Sequence, residues 1–188
     1  VKVYEKKEND WIQIGSEIVG GKAFDQIGVS IALSADGKTL AIGNPYSIYP
    51  YEVQTYDDGS TRDYTSKPYV SVYKLIDENW FQIDKIDFNE FSNNDNLRGG
   101  NFGYSISLSS NGKTLAVGAF YGSVEGATDN AGYVKIYQNI DGNFTPIGNA
   151  LSGEAINGDE FGYSVDLSSD GSIVAISSAQ GGDVFVYK

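Results

Sequence analysis

FGYSISLSSNGKTLAVG, residues 102–118, decides the reading of this chain, because the chain writes it three times. It recurs as FGYSVDLSSDGSIVAIS at 161–177 and, with a changed opening, as IGVSIALSADGKTLAIG at 27–43. A second block travels with it: VKVYEKKENDWIQIG at 1–15, VSVYKLIDENWFQID at 70–84 and VKIYQNIDGNFTPIG at 134–148. Its first half appears a fourth time as VFVYK at 184–188. Four strand-like runs repeating every roughly 50–75 residues are the mark of a propeller or a related array.

Each repeat reads as four strands, A to D. Strand A covers 27–34, 102–109 and 161–168; strand B covers 38–43, 113–118 and 172–177. Strand C covers 1–4, 70–73, 134–137 and 184–187; strand D covers 11–14, 80–83 and 144–147. All alternate in polarity and carry β-branched or aromatic residues, as half-buried strands do. Asp36-Gly37, Asn111-Gly112 and Asp170-Gly171 stand in register between A and B. Such pairs supply the positive φ angles of a tight hairpin turn. Asp141-Gly142 marks a further hairpin between C and D.

Strand A has one small face (Gly103, Ser105, Ser107) and one large face (Ile106, Leu108). That suits a crowded place where neighbouring sheets converge. Strand D, opening on Trp11, Trp80 or Phe144, is expected at the outer edge. The expected fold is therefore all-β: a propeller-like array of four-stranded antiparallel blades, a little over three blades long. Residues 1–15 form a partial blade, 27–83 a blade with a long insertion at 44–69, 102–148 a blade and 161–188 a partial blade, all in one continuous domain. Such a count does not close a ring, so the expectation is an excerpt of a larger propeller or a protomer completed by other chains. The absence of Met, even at position 1, points the same way.

Composition narrows the function classes. The net charge of −12 opposes binding to nucleic acid, which requires clustered Lys and Arg, and opposes docking on anionic membranes. No apolar run approaches the roughly 20 residues of a membrane-spanning helix. Acidity fits an extracellular or cell-surface protein. With no Cys there is neither a disulfide framework nor thiol chemistry. With no His the commonest general base and metal ligand is missing. Paired acids such as Asp159-Glu160 are candidates for glycosidase-like chemistry, and solvation explains them as well. A non-enzymatic role is expected.

Phe102-Gly103-Tyr104-Ser105, followed by LSSNGKTLAVGA and by Gly132-Tyr133-Val134-Lys135-Ile136-Tyr137, resembles the FG-GAP repeat of integrin-α-like propellers. The third copy is similar; the first departs, with Phe24-Asp25-Gln26-Ile27-Gly28 in place of an adjacent Phe-Gly pair. The resemblance implies a calcium-supported extracellular propeller used in adhesion or ligand binding. The family's acidic calcium loop is not matched by the turns SADGK, SSNGK and SSDGS, which hold at most one carboxylate each, and calcium wants six to eight oxygen ligands.

The candidate sites lie in the connections. The B–C and D–A loops emerge on one edge of an antiparallel meander, and per-repeat insertions on one side mark a binding face. The first B–C loop holds Tyr46, Tyr49, Tyr51, Tyr56, Tyr64 and Tyr69, joined by Tyr121 in the second. Tyrosine offers large amphipathic contact area, so these seven are the expected protein or glycan interface. Asp57, Asp58 and Asp63 are the candidate calcium ligands, with Asn93, Asn94 and Asp95 a second oxygen-rich group. Asn143-Phe144-Thr145 is a glycosylation sequon. The expected function is a non-catalytic structural or adhesive repeat protein that presents these loops and assembles through its open strand ends into a larger propeller or filament. A glycan- or calcium-binding module and a fragment of a propeller-type carbohydrate-active enzyme are the alternatives.

Overall fold

A computed structural model describes residues 1–21, 26–45, 53–55, 58–59, 61–63, 67–88, 100–122, 131–153 and 158–188. Among these residues every regular element is a strand, and every sheet is antiparallel. The first hairpin is β1 (Tyr4–Lys7) with β2 (Asp10–Gln13). Then come β3 (Ser30–Leu33), β4 (Thr39–Asn44), β7 (Tyr69–Ile76) and β8 (Asn79–Asp87), paired in that order as one sheet. Between β4 and β7 stands a small hairpin, β5 (Val53–Thr55) with β6 (Thr61–Asp63). The next sheet orders β9 (Ser105–Leu108), β10 (Thr114–Ala119), β11 (Tyr133–Ile140) and β12 (Asn143–Ser152). The last orders β13 (Phe161–Leu167), β14 (Val174–Ser178) and β15 (Asp183–Tyr187). In the two four-stranded sheets strands C and D extend well beyond their expected ends, and the 44–69 insertion contains a hairpin of its own.

The turns depart from expectation in an instructive way. Between β3 and β4, Gly37 alone has positive φ (68°); Asp36 does not. Ser34 N–H donates to Thr39 O at 2.9 Å and Gly37 N–H to Ser34 O at 2.9 Å, so the loop is longer than two residues and needs one left-handed position. Ser34 Oγ donates to Asp36 Oδ1 at 2.6 Å and accepts from Thr39 N–H at 2.9 Å. Ser109/Asn111/Thr114 and Ser168/Asp170/Ile173 repeat this lock. The true two-residue turns with both φ positive join C to D, at Asp77-Glu78 and Asp141-Gly142.

Consecutive sheets interlock by one device used twice. Strand A of each sheet lies over strands A and B of the sheet before it. A Cβ on Gly43 would overlap Gly103 O, and one on Gly118 would overlap Gly162 O. Glycine is thus required by close backbone approach. Beside them Ser30 Oγ donates to Gly103 O at 2.6 Å and Ser105 Oγ to Gly162 O at 2.7 Å. The A–B turns stack too: Ala35 N–H donates to Ser110 O and Ser110 N–H to Ser169 O, both at 2.9 Å. D strands meet where Phe144 N–H donates to Asp84 Oδ2 at 2.6 Å.

Apolar layers fill the spaces between sheets. Ala41, Val70 and Val72 cover Ile106 and Leu115. One repeat on, Ala116 and Val134 cover Phe161, Val165 and Ile176. At the two outer faces the same positions are open. Ile31 is 58% exposed where its counterpart Ile106 is 9% exposed. Val184 and Val186 are 71% and 68% exposed, whereas Val134, the counterpart of Val184, is fully buried.

Candidate functional site

The B–C and D–A connections do share one edge. β4, β10 and β14 end there, and β7, β11 and β15 begin there. At this edge, between the last two sheets, four aromatic rings cluster. Tyr104 and Phe120 stand 4.6 Å apart, Phe120 and Tyr121 4.3 Å, Tyr104 and Tyr163 5.4 Å, and Phe120 and Tyr163 5.3 Å between centroids. Phe120 is buried as the floor, while Tyr121 and Tyr163 keep 44% and 40% of their surface exposed.

A carboxylate faces the rings. Glu160, just ahead of β13, is buried and held at φ 56°. Its charge, with a hydrogen bond to the same carboxylate, pushes the Tyr121 phenol above its ordinary value of 10. The phenol therefore stays protonated as a donor through the neutral range. Gln180 Nε2 approaches Glu160 Oε1 at 3.5 Å, and Ser178 Oγ donates to Asp159 O at 2.5 Å. The segment 159–160 is thus tied to the end of β14. An aromatic floor bordered by an acid, an amide and phenols can take the apolar face of a ligand while exchanging hydrogen bonds at its rim.

Of the expected interface residues, Tyr121 lies in this cluster. Tyr69 is buried on β7 with Lys85 Nζ 4.3 Å from its ring centroid, a cation–π contact inside the scaffold. Tyr46, Tyr49, Tyr51, Tyr56 and Tyr64 lie outside the described residues, as do Asp57, Asn93, Asn94 and Asp95. Asp58 is exposed in the turn between β5 and β6, and Asp63 closes β6. Among the described residues no three acidic side chains converge on a cation site. Asn143 is exposed at the C–D turn, open to a glycan.

Sequence reading passed over Tyr104, Phe120 and Tyr163. The signal was present: FGYS occurs in the second and third copies, where the first has Val29 in place of the tyrosine. Tyr104 and Tyr163 were hidden by being read as strand residues. Near the same edge Asn44, where the other repeats have Ala119 and Ser178, buries a side-chain amide with no hydrogen-bond partner among the described residues. No protein-family model matches the chain, and no curated protein matches it either.

Proposed function

We propose that this chain is an arc of a β-propeller of FG-GAP type, non-catalytic and extracellular, that displays an adhesive contact surface on its loop edge. The observation that carries the reading is the cluster of Tyr104, Phe120, Tyr121 and Tyr163 beside Glu160. It spans two sheets that are locked by close backbone approach and by the Ser105 hydrogen bond to Gly162 O. A site on rigid elements can hold aromatic groups in place at little entropic cost on binding. Glycan is the ligand class favoured: a sugar ring offers a C–H face to the tyrosines and hydroxyls to Glu160 and Gln180. The excess of negative charge disfavours anionic glycans.

The arc reading rests on the repeated interlock and on the two open apolar faces. Covering Val184 and Val186 would contribute up to about 1.5–3 kcal/mol each, which favours a covering element on that face. A glycan array probed with the wild type and with a Tyr121→Ala/Tyr163→Ala variant tests the site. The expected result is binding to neutral glycans that the variant loses at unchanged Tm. Equal binding by both proteins, or none by the wild type, counts against it.

A further inference from the structure

The hairpin β1–β2 does not lie at random on the sheet beside it. A Cβ on Gly28 would meet Val1 Cγ2 at 2.9 Å. In the interior of the array, a Cβ on Gly103 would meet Val70 Cγ2 at 3.0 Å, and one on Gly162 would meet Val134 Cγ2 at 3.0 Å. Val1, Val70 and Val134 open the same block of the repeat. Trp80 Nε1 donates to Ile14 O at 3.1 Å, fixing the end of the second strand against β8. β1 and β2 therefore occupy the C and D places of a preceding sheet. Among the described residues no strand stands in the A and B places beside them.

Three features mark that vacancy as an acceptor. First, every other C strand pairs with a B strand: β7 with β4, β11 with β10 and β15 with β14. β1 pairs with β2 alone among the described strands, which leaves a ladder edge open to strand addition. Second, the groove between β1 and β3 is lined by Val1, Val3, Tyr4, Ile31, Leu33 and Leu40. Ile31 is open there, whereas its interior counterpart Ile106 is buried under Ala41, Val70 and Val72. Third, Gly28 repeats the backbone setting of Gly103. Each has positive φ, and each N–H donates at 3.0 Å to the carbonyl of the paired strand, Gly43 O or Gly118 O.

We propose that this groove accepts an A–B hairpin of a further repeat. Resting on the array reading above, the interior geometry specifies the hairpin. Its strand B must carry glycine where Gly43 and Gly118 stand, so that the Gly28 carbonyl can enter. Its strand A must carry serine where Ser30 and Ser105 stand, to donate to that carbonyl. The hairpin β13–β14 of a second copy fails the first requirement. It has Ser177 in the glycine place, and Ser177 Oγ is already taken by Ser164 N–H at 3.1 Å. The array is consequently polar: its β1 end receives a repeat, and its β14 face refuses the same interlock. The occupant is a glycine-bearing repeat hairpin from outside this chain's own last sheet.

Calorimetric titration with synthetic peptides of sequence 101–119 and 160–178 tests this. The first is expected to bind saturably, the second about tenfold or more weakly because of the added Cβ and hydroxyl. A 160–178 peptide carrying Ser177→Gly is expected to recover binding. Ile31→Asp in the protein, at an exposed position, should abolish it. Since a free hairpin is only marginally structured, a fused form is measured beside it. Residues 101–119 are joined ahead of Val1 through a linker as long as 179–182, with and without Gly118→Ser in the fused copy. A rise in Tm that Gly118→Ser removes supports the acceptor. No peptide binding together with no rise in Tm, equal binding of both wild-type peptides, or concentration-dependent dimers of the unmodified chain would overturn it. If those negatives occur while the sheets still cross-link at their stacked turns, the acceptor fails and the array reading stands.

Discussion

Single residues do sharply different jobs at equivalent places in the A–B turns. Asp170 accepts from Ser168 Oγ and from Ser172 N–H and Oγ, which holds its carboxyl at about 2 against an ordinary 3.8. Asp36 is lowered in the same way, chiefly by the Ser34 hydroxyl. Asn111 makes the same bonds without a charge. A carboxyl whose folded value is depressed contributes stability above its unfolded value and loses that contribution as pH falls. The third turn should therefore weaken between about pH 4 and pH 2 and the first as pH falls below the ordinary value of 3.8, while the second stays unaffected. Ser168→Ala should move the Asp170 midpoint up toward 3.8, and carbon-detected NMR titration of the carboxyl reads this directly. An unchanged midpoint would mean that the serine hydroxyl is not the cause. The Asp-Gly and Asn-Gly pairs were legible as turns from sequence. Their type was not, because the serine that lengthens the loop takes the place of a backbone acceptor, and that exchange leaves no mark in turn propensity.

At the scale of the element, strand A was legible by its alternation and misread at its start. Gly28, Gly103 and Gly162 all adopt positive φ, which breaks the ladder just before Ser30 and Ser105 and shifts the register between Phe161 and Ser164. Sequence periodicity sees the small side chain at these places and not the carbonyl turned toward the neighbouring sheet. The reason for glycine on strand B was likewise hidden, since it depends on a backbone 44 residues away in sequence, Gly162 O against Gly118. Gly118→Ala is accordingly expected to destabilise by about 1–3 kcal/mol through overpacking, and Ser177→Ala, at the uncovered equivalent, by less than about 0.5 kcal/mol. Urea unfolding of the two variants makes the comparison. Equal losses would remove the sheet-to-sheet approach as the explanation. The tyrosines at the loop edge show the converse limit: Tyr104 and Tyr163 belong by pattern to strand A, and only the stacking of two strands brings them together over Phe120.

Across the whole molecule, repetition in sequence becomes repetition in packing. The same serine–glycine contact and the same turn-to-turn hydrogen bond occur at both interior junctions. All-β architecture, strand order and the edge position of strand D followed from the repeat. The polarity of the array did not, because it turns on Ser177 standing where two other copies have glycine, a difference of one small residue. Stacked sheets joined in this way leave two open faces that differ, one a groove beside β1 and the other a surface of Val184 and Val186. The account stands or falls on that stacking. Ser169 Oγ donates to Ser110 Oγ at 2.9 Å across consecutive turns, close enough for a disulfide between cysteines placed there. The chain has no cysteine of its own, so a Ser110→Cys/Ser169→Cys variant reports on this junction alone. Mild oxidation is predicted to close an intramolecular disulfide in nearly every molecule, with the circular dichroism spectrum unchanged. Free thiols, or disulfides formed only between molecules, would contradict the stacking of the sheets.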